Sequence, residues 1–231
     1  MLHVLLQRRV FLQLAFTSFL WDYNGNNGPN QWGTLSADYH TCSDGRQQSP
    51  INIDITQAID APVSFHYRPI PINLLNNGRT IQETVDRPCT LTLDNQTYNL
   101  IQFHLHTPSE HTCNGRHYPM ELHLVHRQPE TGALAVVGVW IKPGVEQSEL
   151  TILEQQLPQQ PGDRIQTVDS IDPNNLLPAA KTLVCYQGSL TTPPCSEEVT
   201  WLIMVNPIEA SSQQIDVLHK LLGDNARPLQ R

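Results

Sequence analysis

Apolar and polar positions recur in short alternating runs from about residue 63 to residue 141: "VSFHY", "LTLDNQTYNLIQFHLH", "MELHLVHR" and "LAVVGVWI". A period of two is that of strands with one buried face. Turn-forming stretches, "NNG", "LDNQ" and "PETG", separate these runs and predict antiparallel pairing. "SELTILEQQL" (148–157) and "SSQQIDVLHKLL" (211–222) carry helical spacing instead, with serines placed as caps. "TWLIMVNPI" (200–208) reads as a buried strand that its proline ends. Residues 21–60, rich in Asn, Gly, Pro and Ser, predict extended coil wrapped around a core. The pattern adds up to a sheet-dominated α+β domain.

The 231 residues suit one domain, 21–231, preceded by a leader. That leader, "MLHVLLQRRVFLQLAFTSFL" (1–20), has no acidic residue, two adjacent arginines (Arg8, Arg9) and then a mostly apolar stretch. This is the layout of an export signal, and "RRVFLQ" resembles the twin-arginine type. The expected location is therefore periplasmic or extracellular. A formal net charge of −8 with no lysine/arginine cluster argues against nucleic acid or an anionic membrane as partner. No apolar run reaches the roughly 20 residues of a membrane span. Cys42, Cys89, Cys113, Cys185 and Cys195 form no C-x-x-C pair, which excludes a zinc-ribbon or thioredoxin-type site. An exported chain can oxidise one or two pairs of them, leaving an odd thiol, and the spacing does not choose the pairs.

"QFHLHTPSEH" (102–111) concentrates three histidines and a glutamate in ten residues. In a strand His104 and His106 point to one face with Gln102, while Phe103 and Leu105 face the core. Catalytic zinc takes three protein ligands and keeps a position open. "MELHLVH" supplies a third, because Glu121, His123 and Val125 share one face there. Gln102 and Glu121, each two places before a histidine, can accept the second ring N–H, which fixes the tautomer. His104-x-His106-x3-Glu110 also fits the first motif of a cupin metal oxygenase. The second cupin motif is missing, since "KPGVEQSEL" offers only Pro143 and Gly144 and no histidine.

With these residues in view the chain resembles the alpha-class carbonic anhydrases, exported bacterial members in particular. The resemblance rests on "NGPNQWG", "QQSPINI", "LNNG", "QFHLHTPSEHT", "MELHLVH", "GSLTTPPCSEEVTW" and "DNARP", in order from Trp21 onward. It implies a central twisted, mostly antiparallel sheet with peripheral helices, and the reversible hydration of carbon dioxide to bicarbonate by zinc-bound hydroxide. Carried over residue by residue, it implies zinc on His104, His106 and His123, supported by Gln102, Glu121 and the backbone carbonyl of Asn225. Thr191 would accept a hydrogen bond from the hydroxide and donate its own proton to Glu110, consistent with an ionised carboxylate accepting only. Val125, Val136, Leu190, Val199 and Trp201 would form an apolar wall for the uncharged substrate. Cys42 and Cys195 would form the disulfide of exported members; Cys89, Cys113 and Cys185 have no counterpart.

Two departures stand out. After "LNNG" many active members carry a proton-relaying histidine, whereas this chain has Arg79. Arginine stays protonated and cannot accept a proton. The chain also ends soon after "RP", where the resemblance implies a further strand. A non-catalytic binding module of the same family is the rival reading; such members typically lose a zinc histidine, and none is lost here.

Overall fold

A computed structural model describes residues 20–230. Residues 1–19 of the expected export leader lie outside the described residues. Thirteen strands are found among the described residues: β1 (Asn52–Ile53), β2 (Val63–His66), β3 (Ile70–Asn76), β4 (Ile81–Thr84), β5 (Thr90–Leu93), β6 (Gln96–His106), β7 (Thr112–Cys113), β8 (Arg116–His117), β9 (Met120–Arg127), β10 (Leu134–Pro143), β11 (Arg164–Ile171), β12 (Leu183–Gly188) and β13 (Val199–Ala210). The two longer helices are α1 (Ser148–Glu154) and α2 (Ser212–Leu222).

Ten strands build one open sheet in the order β11-β3-β4-β6-β9-β10-β13-β12, with β5 also on β6 and β2 beyond it. Every pairing in that sheet is antiparallel except β10 with β13. β1, β7 and β8 form a small separate sheet. The β5–β6 hairpin turns at Asp94 and Asn95, both at positive φ (48° and 63°), as a tight two-residue loop requires.

One face of the large sheet carries the main core. Phe103, Leu105, Leu122, Leu124, Val137 and Leu202 pack there with Leu150 and Leu153 of α1 and Ile215 and Leu218 of α2. The other face carries Val125, Val136, Trp140, Val199, Trp201 and Ile203. A bulge between Leu100 and Gln102 joins the two patterns on β6. One extra residue reverses the parity of a strand, so Leu100 and Phe103 both enter the main core.

Three local expectations need correction. Pro207 does not end its strand, because β13 continues to Ala210. The register of β10 and β13 steps from Val139↔Met204 to Ile141↔Ile208, and the pairing with β12 is over by Met204, so the proline sits where no ladder N–H is required. Ser148 is not a cap: Gln147 is, its side chain accepting from the Glu149 N–H at 2.6 Å. Ser211 does cap α2, in a capping box with Gln214. Finally, residues 21–60 are not plain coil but a series of short helical turns (25–27, 29–31, 32–35, 37–39, 41–44 and 55–57).

Candidate active site

β6 and β9 lie side by side with His104 directly opposite His123, and His106 opposite Glu121. The alternation after the bulge puts Gln102, His104 and His106 on the face away from the main core. His104, His106 and His123 each present a ring nitrogen within 4.8 Å of the others.

Each ring is held through its other nitrogen. His104 Nδ1 donates to Gln102 Oε1 at 2.8 Å, His106 Nδ1 to the Asn225 carbonyl at 2.7 Å, and His123 Nε2 to Glu121 Oε1 at 3.0 Å. These acceptors fix the tautomers and leave His104 Nε2, His106 Nε2 and His123 Nδ1 as the lone-pair nitrogens. His106 Nε2 is buried with no hydrogen-bond partner among the described residues. Burial first, and the neighbouring imidazoles second, hold His104 well below the usual histidine range; burial also lowers His106. Both therefore stay neutral, the state in which imidazole binds a metal. Three imidazoles with converging lone pairs are a donor set that fits zinc.

A second group, His111, Glu121 and His123, also lies within 4.8 Å but is filled by its own hydrogen bonds. Glu121 Oε1 takes the ring N–H of His111 at 2.7 Å as well as that of His123, and Oε2 takes the His111 backbone N–H at 2.8 Å. Burial would raise the Glu121 carboxyl, but the two histidines and these bonds override it and hold it well below the usual range.

Glu110 Oε1 accepts the Arg227 backbone N–H at 2.8 Å. Its Oε2 is buried without a hydrogen-bond partner among the described residues, 3.5 Å from His106 Nε2. The expected bond from the Thr191 hydroxyl is thus not made, although Thr191 is buried. Val125, Val136, Val199 and Trp201 are buried together, with Leu190 packed against them. Cross-strand register explains this: Val136 faces Val125 on one side and Trp201 on the other. The Trp201 ring meets the His123 ring at 4.9 Å, so the apolar wall begins at the imidazole cluster. Arg79 is not part of that cluster: its guanidinium donates to the carbonyls of Trp21 and Gly78. Cys42 and Cys195 form a disulfide, Cα atoms 5.0 Å apart, while Cys89, Cys113 and Cys185 are free.

The sequence model of the family described as eukaryotic-type carbonic anhydrase matches residues 27–231. The chain belongs to that family. A carbonic anhydrase of Klebsiella pneumoniae is 44% identical over 214 residues, covering 91% of this chain and 87% of the relative. The alpha-carbonic anhydrase of Thermovibrio ammonificans, solved with the inhibitor sulfanilamide, matches with a TM-score of 0.87 at 42% identity, covering 91% of this chain and 95% of that one. The enzyme of Photobacterium profundum matches with a TM-score of 0.85 at 41% identity, covering 91% and 96%. The protein is thus an alpha-class carbonic anhydrase, and its reaction is the hydration of carbon dioxide.

Several residues of this carbonic anhydrase were invisible to motif reading. The His111 Nε2 is 2.7 Å from the Tyr186 hydroxyl, which is 2.8 Å from Ser49 Oγ, and Ser49 and Ser189 exchange two backbone-to-hydroxyl bonds. This chain of contacts runs from the loop before Thr191 to Glu121. Gly138 lies opposite His123 on β10. A Cβ there would come within 2.9 Å of Glu121 Oε1 and 2.7 Å of Ile203 Cδ1, so only glycine leaves room for the carboxylate. The one available signal was a glycine inside an apolar strand, which marks a close approach.

Proposed function

We propose that His104, His106 and His123 hold a zinc ion through His104 Nε2, His106 Nε2 and His123 Nδ1, and that carbon dioxide is hydrated beside it. The observation that carries this reading is the pinning of all three rings by separate acceptors, with three lone pairs left converging. A zinc ion bound there would acidify a water molecule and so supply hydroxide near neutral pH.

The chain's own groups do the rest. Gln102, Glu121 and the Asn225 carbonyl set the tautomers and raise the basicity of the rings. Glu110, acceptor-only when ionised, has an unused Oε2 that is buried and suited to a hydroxyl donor. By turning its hydroxyl to donate there, Thr191 would accept a hydrogen bond from the attacking oxygen, which aims an oxygen lone pair at the substrate carbon. Val125, Val136, Leu190, Val199 and Trp201 offer an apolar wall to a molecule with no charge.

The disulfide supports an oxidising compartment, and with the arginine-containing leader it supports export to the periplasm or beyond. Residues 1–20 are read as the signal and 21–231 as the single catalytic domain. No helix among the described residues is long and apolar enough to cross a membrane. Colorimetric zinc titration followed by a carbon dioxide hydration assay tests the proposal. One zinc per chain and zinc-dependent hydration are expected; hydration without zinc, or zinc bound by a triple-alanine variant of the three histidines, would overturn it.

A further inference from the structure

The segment Trp21–Tyr23 belongs to no strand or helix, so its backbone groups must find partners elsewhere. The Asp22 N–H bonds the Asn27 carbonyl at 2.7 Å, and the Asp22 carbonyl takes the Trp32 indole N–H at 2.8 Å. The Trp21 carbonyl is taken by Arg79 Nη2. Arg79 also lays its guanidinium over the Trp21 ring, 5.1 Å from its centroid, and sets Nη1 3.7 Å from the Asp22 carboxylate. Three kinds of contact on one short segment suit arginine, whose flat cation stacks and donates at once.

The backbone of the same residue reaches the imidazole cluster through Asn225. The Arg79 carbonyl accepts from Asn225 Nδ2 at 3.0 Å. Asn225 has no slack: Nδ2 also donates to the Leu105 carbonyl at 3.1 Å, Oδ1 accepts from the Thr107 N–H at 2.7 Å, and its own N–H donates to the Thr107 carbonyl at 3.0 Å. Its carbonyl is the acceptor that holds His106. A side chain engaged at every polar atom passes on a displacement of any partner, because it has no free bond to absorb it.

We propose that Arg79 is a positioning residue: it ties the segment Trp21–Tyr23 to Asn225 and, through Asn225, sets the ring of His106. This rests on the reading of His106 as a zinc ligand. Loss of the tie frees the terminal segment and loosens one ligand of three.

The test uses the full zinc-loaded chain and two readouts, amide exchange of residues 21–28 and the rate at which excess chelator strips zinc. Arg79→Ala and Trp21→Ala should each speed exchange in the segment and raise zinc release roughly 3- to 10-fold, less than the 10–100-fold affinity loss typical of direct ligand partners. The double variant should be little worse than either single, since both cut one connection. Leu91→Ala, a core change on β5, should lower Tm yet leave zinc release unchanged, which separates the tie from general stability. The cobalt-substituted Arg79→Ala protein should show a shifted visible absorption band. Wild-type release rates in Arg79→Ala, or fully additive effects in the double variant, would overturn the proposal while the ligand reading stands. A wild-type chain that binds no zinc would overturn both, and is told apart by the titration alone.

Discussion

His106 donates its Nδ1 proton to the backbone carbonyl of Asn225 across 2.7 Å, although 119 residues separate them. The two other proposed ligands find their acceptors two places away on their own strands, at Gln102 and Glu121. The proposed metal centre therefore combines local and long-range support.

The proposed ligands give the first prediction. Replacing His104, His106 or His123 by alanine should abolish most zinc binding and hydration together. Glu121→Ala should weaken zinc retention by roughly 10–100-fold, as losses of direct ligand partners do. Zinc content by mass spectrometry beside a stopped-flow assay checks both, and a single-alanine variant with full metal and full rate disproves that ligand.

Gly138→Ala should be costly for its size. The added methyl group meets Glu121 Oε1 and Ile203 Cδ1 well inside contact distance. Overpacking of this kind costs about 1–3 kcal/mol, and the displaced carboxylate should loosen His123 as well. Urea unfolding and zinc release should both shift; a shift in neither would show that the strand yields freely.

Cys42 and Cys195 should be recovered joined from an oxidising compartment. The Cys42→Ser/Cys195→Ser double variant should lose about 2–5 kcal/mol of stability with a smaller effect on zinc affinity. Peptide mapping that finds both as free thiols there would overturn the bond.

Proton removal should limit turnover. The position where the family resemblance implies a relaying histidine holds Arg79, whose guanidinium is engaged by Trp21 and Gly78 and by nature cannot accept a proton. Imidazole buffer should raise kcat in proportion to its concentration while leaving kcat/KM largely unchanged. If imidazole has no effect, another residue already carries the proton. Arg79→His should gain less than a simple relay argument suggests, because it also gives up the contacts to Trp21 and Asp22.

Stability should fall at both ends of the pH range for separate reasons. Buried His126, its ring between the Tyr67 hydroxyl at 2.7 Å and the Ala135 carbonyl at 3.3 Å, is lowered by burial to about 4. Its folded value lies below the unfolded 6.5, so its contribution is present above pH 6.5 and is lost as pH falls through 4, roughly 3 kcal/mol in all. Glu83 is raised by burial to about 8. Its folded value lies above the unfolded 4.5, so its contribution is full below pH 4.5 and is lost as pH rises through 8. Glu83→Gln should flatten the alkaline limb of a urea-unfolding profile, and His126→Gln the acid limb.

Alternation made the imidazole cluster legible, because two strands with polar residues at matched offsets need only pair to bring it together. It could not reveal the bulge at Ile101, which depends on how β6 meets β9. Edge strand β11 was missed because five of its eight residues face solvent and little apolar pattern remains, Val168 being almost fully exposed. Pro207 misled because the rule against proline applies to residues whose N–H the ladder needs. His111, Tyr186 and Arg227 owe their places to partners 10 to 185 residues away, a relationship that no local pattern encodes.

The distance from His123 to Asn225 along the chain also has a meaning in time. Synthesis at roughly 5–20 residues per second places about 5–20 s between the third imidazole and the carbonyl that steadies the second. During that interval a nascent chain would carry the three proposed ligands without the acceptor that fixes the tautomer of His106. On the proposed reading, selection for zinc would fall to the folded molecule, after Asn225 has docked. A cell that folds this protein before moving it would choose the metal on one side of a membrane for work on the other.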